Sequence, residues 1–93
     1  MNKLSKKTII NVPWNKFNIV DGGIILNRYL VEAYVEIPSN ISNILFIIPY
    51  EAYGYAEYAV INGSYKYFRC GQILTSDFHN NNEGNMKILI IHM

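Results

Sequence analysis

The chain has 93 residues, of which 51% are hydrophobic and only 16% charged, with a net charge of +1. A typical soluble domain carries about 25% charged residues, so this is one domain with little ionic surface and many β-branched and aromatic side chains. Nucleic acid is a poor target for it. Phosphate binding needs clustered Lys and Arg, and the only cluster is Lys3, Lys6 and Lys7.

Residues 1–7 read as a flexible basic tail, followed by a single β-rich domain over residues 8–93. A single cysteine, Cys70, excludes an internal disulfide. No signal peptide is legible, because the basic start leads only to Ile9 and Ile10 before Asn11 and Pro13 interrupt it. The longest apolar run, residues 44–48, is far short of the roughly 20 residues a membrane span needs, so a soluble chain is expected. A chain of this size buries only about 60–65% of its unfolded surface. With few charges to cover the outside, exposed apolar patches and self-association are expected.

In chain order, residues 8–12 form a short β-branched strand stopped by Pro13. Residues 14–18 are a loop or edge strand bearing Trp14 and Phe17, and Asp21-Gly22-Gly23 is a tight turn. Over residues 24–37 two readings compete. Tyr29, Val31, Ala33, Val35 and Ile37 share one face at period two, with Glu32 and Glu36 opposite. Leu26, Leu30, Ala33, Tyr34 and Ile37 align at helical spacing. Val31, Val35 and the Ile-rich opening favour the strand.

Residues 44–48 are apolar throughout and are expected as a central strand. Pro49 to Gly54 must turn, with room for one helical turn over residues 50–56. Asn62-Gly63 is the preferred pair for a type I′ hairpin, which would set Ile61 against Ser64, Val60 against Tyr65 and Tyr58 against Tyr67. Residues 72–74 add a short strand, and 79–84 form a polar loop. Ile88, Leu89, Ile90 and Ile91 are apolar on both faces, so the last strand belongs inside a sheet or an oligomer. The fold class expected is a small antiparallel β-sandwich or barrel, with room for one short helix.

Catalytic chemistry lacks its residues. Cys70, His79, His92 and Asp77 are the right types for nucleophilic catalysis but sit in no recognisable motif. Cys70 reads as a small buried hydrophobe, His92 as a packed strand residue and His79 as solvated. Zinc-ligand spacing is lacking, and Asp21-Gly22-Gly23 is no phosphate loop. Glu32 and Glu36 lie roughly 13 Å apart along a strand, too far for a glycosidase pair. No enzyme, metal or cofactor is expected.

Recognition surface remains. Tyr50, Tyr53 and Tyr55 crowd a Pro/Gly turn, and Trp14 stands elsewhere. Rings with polar tips suit protein interfaces and sugar stacking, and these four are the candidate binding residues. Trp14 leading into Ile19-Val20-Asp21-Gly22-Gly23-Ile24-Ile25, strands ending at Ile37-Pro38 and Ile48-Pro49, then a hairpin and a last strand together resemble the C-terminal tip domains of bacteriophage tail fibres. That resemblance implies a β-sandwich, commonly trimeric, that binds a host protein or surface glycan. A second expectation is a small phage-encoded inhibitor that blocks a host defence or enzyme complex.

The turn assignment is testable. Asn62→Pro is expected to disrupt the hairpin, because Pro cannot take the positive φ demanded at the first central position; an unchanged melting curve would show the turn to be misread.

Overall fold

The computed structural model describes residues 4–25, 28–61, 64–74 and 84–93. Seven strands carry the chain: β1 (Lys6–Pro13), β2 (Asn18–Ile25), β3 (Arg28–Glu36), β4 (Ile44–Pro49), β5 (Tyr55–Ile61), β6 (Ser64–Leu74) and β7 (Asn85–His92). Among the described residues the only helical element is a 3-10 turn, Trp14–Lys16. Every pairing is antiparallel. The strands form two sheets, ordered β1-β7-β4 and β2-β3-β6-β5, and the expected mostly-β fold is what forms.

β3 follows its period-two pattern. Val31, Ala33 and Ile37 are buried, and Tyr29 and Val35 pack against the core; Glu32 and Glu36 take the opposite face. The strand starts only at Arg28, however. β2 runs on to Ile25, which is the register partner of Arg28. Asp21-Gly22-Gly23 is therefore no reversal. It lies inside β2, where the stretch from Ile19 to Ile24 faces only Val31 to Tyr29, an irregularity that residues without a side chain accommodate.

Three further expectations are corrected. β4 is an edge strand, not a central one. Its uninterrupted apolar run mimics two-sided burial, yet Leu45 is bulged out between Ile44 and Phe46, and Phe46 is 61% exposed. Residues 50–54 form bends rather than a helical turn, and residues 72–74 belong to β6.

In the β5–β6 pair, Ile61 meets Ser64 and Val60 meets Tyr65 as expected, but the register then shifts. Lys66 is left over, so Tyr58 lies opposite Phe68 instead of Tyr67. One surplus residue turns every later side chain to the other face, and Tyr58 packs inward. Asn62-Gly63 itself lies outside the described residues. β1 begins at Lys6, so Lys6 and Lys7 pair with His92 and Ile91.

The core sits between the sheets. Val12, Met86, Ile88 and Ile90 come from the three-stranded sheet, and Val31, Phe68 and Cys70 from the four-stranded one. Phe17, which follows the 3-10 turn, is fully buried. The Tyr58 hydroxyl on β5 donates to the Ile44 carbonyl on β4 at 3.0 Å, tying one edge of each sheet together. His92 is the one buried polar residue of the described core. Its Nδ1 lies 3.1 Å from the Met93 carbonyl, which can only accept, so Nδ1 carries the proton. Its Nε2 shares a hydrogen bond with the Thr8 hydroxyl at 2.8 Å, a group that can donate or accept.

The loop after β4 is held by backbone contacts. Tyr50 N–H donates to the Lys87 carbonyl at 2.9 Å, and the Gln72 side-chain amide donates to the Tyr53 carbonyl at 2.9 Å. Gly54 adopts φ +121°, and a Cβ there would lie 2.2 Å from the Gly71 carbonyl oxygen. Gly54→Ala is therefore expected to cost at least about 2 kcal/mol, measured by urea unfolding. Tyr53→Ala, at a side chain 88% exposed, should stay within about 0.5 kcal/mol. Equal stabilities for the two variants would contradict this account of the loop.

Candidate functional site

Residue by residue, the expected recognition group disperses. Trp14 opens the 3-10 turn, donates its backbone N–H to the Gly84 carbonyl at 3.2 Å and tilts against Phe17, ring centres 4.8 Å apart. It packs against the core, so its ring serves the fold. Tyr50 is half-buried, and its backbone is tied to β7. Tyr53 stands out into solvent. Tyr55 alone joins a cluster of other side chains.

That cluster lies on the outer face of the four-stranded sheet. Tyr55 on β5, Gly71 on β6 and Glu32 on β3 form one cross-strand row; Glu57, Arg69 and Tyr34 form the next. A Cβ on Gly71 would sit 2.5–2.7 Å from the outer atoms of the Tyr55 ring. The ring thus lies over the glycine, in space that any other residue would fill.

Arg69 is held from both sides. Its Nη2 pairs with the Glu57 carboxylate, its Nε lies 3.6 Å from Glu32 Oε2, and its guanidinium carbon is 6.0 Å from the centre of the Tyr55 ring. Such partly exposed pairs contribute little stability. Their effect is to fix the guanidinium in one place. Tyr34, in register with Arg69, is 62% exposed.

The second notable surface is the outer face of the three-stranded sheet. Register places Ile9, Leu89 and Ile48 in one row across all three strands, with Lys7, Ile91 and Phe46 in the next. Ile9, Phe46 and Ile48 are exposed, and Leu89 and Ile91 are half-buried. No Asp or Glu occurs in β1, β4 or β7.

The sequence could not show the first cluster directly. Reading the hairpin without its bulge sets Glu57 diagonal to Lys66; once Lys66 is looped out, Glu57 faces Arg69. An opposite-charge pair across an Asn-Gly hairpin was the available signal.

Cys70 lies fully buried on β6 opposite Ala33. Burial, with a smaller contribution from the Glu32 carboxylate, pushes its thiol up to about 12. A protonated, enclosed thiol is a poor nucleophile. His79 and Asp77 lie outside the described residues. Among the described residues no three His, Cys, Asp or Glu side chains are grouped to hold a metal, and no helix is long and apolar enough to cross a membrane. Comparison with known protein families, curated proteins and solved structures finds no match to this chain.

The raised thiol has a pH consequence. The unfolded chain releases this proton near 9.0 and the folded chain only near 12, so the contribution is intact below pH 9 and declines as pH rises towards 12. The wild type should lose more stability than Cys70→Ala across that window, and the native thiol should resist iodoacetamide at neutral pH until urea unfolds the chain. Rapid native labelling would contradict the buried assignment.

Proposed function

We propose that this protein is a non-enzymatic interaction module that assembles with copies of itself through the outer face of its three-stranded sheet. The observation that carries the reading is the unbroken apolar row of Ile9, Leu89 and Ile48, backed by Ile91 and Phe46. An antiparallel sheet with one open face ordinarily alternates apolar inside and polar outside; here both faces of β7 are apolar. Exposed apolar patches of a few hundred Å² commonly mark interaction sites.

A second copy suits this face. Its centre is uncharged, and Lys7 and Lys87, both exposed, lie towards opposite ends of it, where long stems let the ammonium groups reach solvent at a rim. An apolar centre with a charged border is how protein interfaces are built, and two such sheets can stack face to face about 10 Å apart. This favours an oligomeric receptor-binding role, of the kind the resemblance to phage tail tips implies, over a freely acting inhibitor. An inhibitor whose apolar face meets a host protein remains the second reading, distinguished by its monomeric mass.

Sedimentation analysis decides between them. The wild type is expected to sediment as a dimer or larger at micromolar concentration, and Phe46→Asp and Ile48→Asp as monomers with an unchanged circular dichroism spectrum. A wild type that stays monomeric throughout would end the self-assembly reading.

A further inference from the structure

We infer that the open edge of β1 is a self-pairing site, where a second copy of this chain adds its own β1 antiparallel and joins two three-stranded sheets into one six-stranded sheet. This uses a different surface from the stacking face proposed above and goes beyond it. An edge strand is a template for further pairing unless something blunts it, and a bulge is one such device. Among the described residues, the edge strands β2, β4 and β5 each carry a register shift in the pairing that holds them. β4 is capped as well, its Ile44 carbonyl taking the Tyr58 hydroxyl at 3.0 Å. β1 is the regular edge: Lys6 to Pro13 pair with His92 to Asn85 without a break.

The direction of each backbone group along β1 follows from its neighbours. Facing residues in an antiparallel pair alternate between those that exchange hydrogen bonds and those that do not. Trp14 N–H donates to the Gly84 carbonyl at 3.2 Å, one step beyond the Pro13–Asn85 partners. The positions bonded to β7 are therefore the even ones: Lys6, Thr8, Ile10 and Val12. β7 agrees from its other side, where the odd residue Lys87 takes the Tyr50 N–H on its carbonyl at 2.9 Å. The N–H and C=O groups of Lys7, Ile9 and Asn11 thus point to the open edge. Pro13, also odd, has no N–H to leave there.

β1 is complementary to itself. A two-fold axis through Ile9, normal to the sheet, sets Ile9 against the partner's Ile9 and Lys7 against the partner's Asn11, and each pair exchanges both of its bonds. The axis keeps the two outer faces on one side, so the row Ile9, Leu89 and Ile48 runs on into its copy as a single apolar stripe. Lys7 meets a neutral side chain. The two Lys7 positions are offset by roughly 13 Å along the strands, more than the screening length of about 8 Å at physiological ionic strength. Parallel pairing in register would set like charges side by side. The bonds come from the backbone and the area covered is small, so this is the weaker of the two contacts.

The test uses the full chain carrying Phe46→Asp, which silences the stacking face and leaves the β1 edge intact. Sedimentation and residue-resolved amide hydrogen exchange are compared at low-micromolar and near-millimolar concentration. The variant is expected to pass from monomer to dimer, and exchange at Lys7, Ile9 and Asn11 to slow at least tenfold, while Thr8 and Ile10, already bonded to β7, change little. Adding Asn11→Pro or Lys7→Pro removes an edge donor and no bond to β7, so either should abolish the dimer and leave the circular dichroism spectrum unchanged. Ile10→Pro, which takes a donor from the β7 ladder, should instead lower the urea midpoint. Facing residues of a bonded pair lie about 5.5 Å apart between Cα atoms, within disulfide reach, so Ile9→Cys should oxidise to a covalent dimer. A Phe46→Asp chain that stays monomeric, or exchange at Lys7, Ile9 and Asn11 that ignores concentration, overturns the edge, and a strand supplied by another protein would give that result. The two contacts fail separately: a wild type whose mass ignores Phe46→Asp loses the stacking face, and a Phe46→Asp dimer that survives both prolines loses the edge.

Discussion

β7 is apolar on both faces, and the rest of the arrangement answers to that. Met86, Ile88 and Ile90 point into the core and are essentially inaccessible; Leu89 and Ile91 point the other way and stay half-covered. Covering one medium-sized apolar side chain is worth about 1.5–3 kcal/mol, so the strand is driven to the middle of a sheet. There β1 and β4 flank it and bring their own apolar residues to both sides. The first and last described strands thus pair along their whole lengths, a contact between distant parts of the chain whose closure carries an entropic cost.

Charge is divided between the sheets as a result. The strands of the three-stranded sheet contain lysine and no acid, whereas Glu32, Glu36 and Glu57 all belong to the four-stranded one. The two outer faces are therefore chemically unlike. One is greasy with lysines towards its ends; the other is tyrosine-rich, with an arginine locked between carboxylates. A sandwich of this size has room for two surfaces because its core is thin, and each sheet presents one face to solvent.

Strand content was legible because β-branched and aromatic residues alternate clearly. The period-two face of β3, Tyr29 through Val35, is the plainest case, and the buried last strand is another. Strand positions within the sheets were not legible. The run at residues 44–48 looks as central as residues 88–91, and local composition cannot say which of two greasy strands wins the middle when only one of them finds partners on both sides. The recognition residues divide on similar grounds. Tyr55 was marked by a cluster in sequence, but its spatial neighbours Tyr34, Arg69 and Glu32 lie on other strands, and Trp14 was claimed by the core through Phe17.

The amino-acid sequence by itself determined the pleat, the rough places of the turns and the shortage of reactive side chains, because these depend on period, backbone preference and residue type, all local properties. Only the tertiary structure decided register and neighbourhood. A single surplus residue at Lys66 turned Tyr58 inward and brought Glu57 to Arg69, since alternation along a strand makes facing direction depend on counting, and a bulge changes the count. That the Tyr55 ring lies over Gly71 was likewise settled by pairing between strands, where a missing side chain on one becomes the seat for a ring on the next.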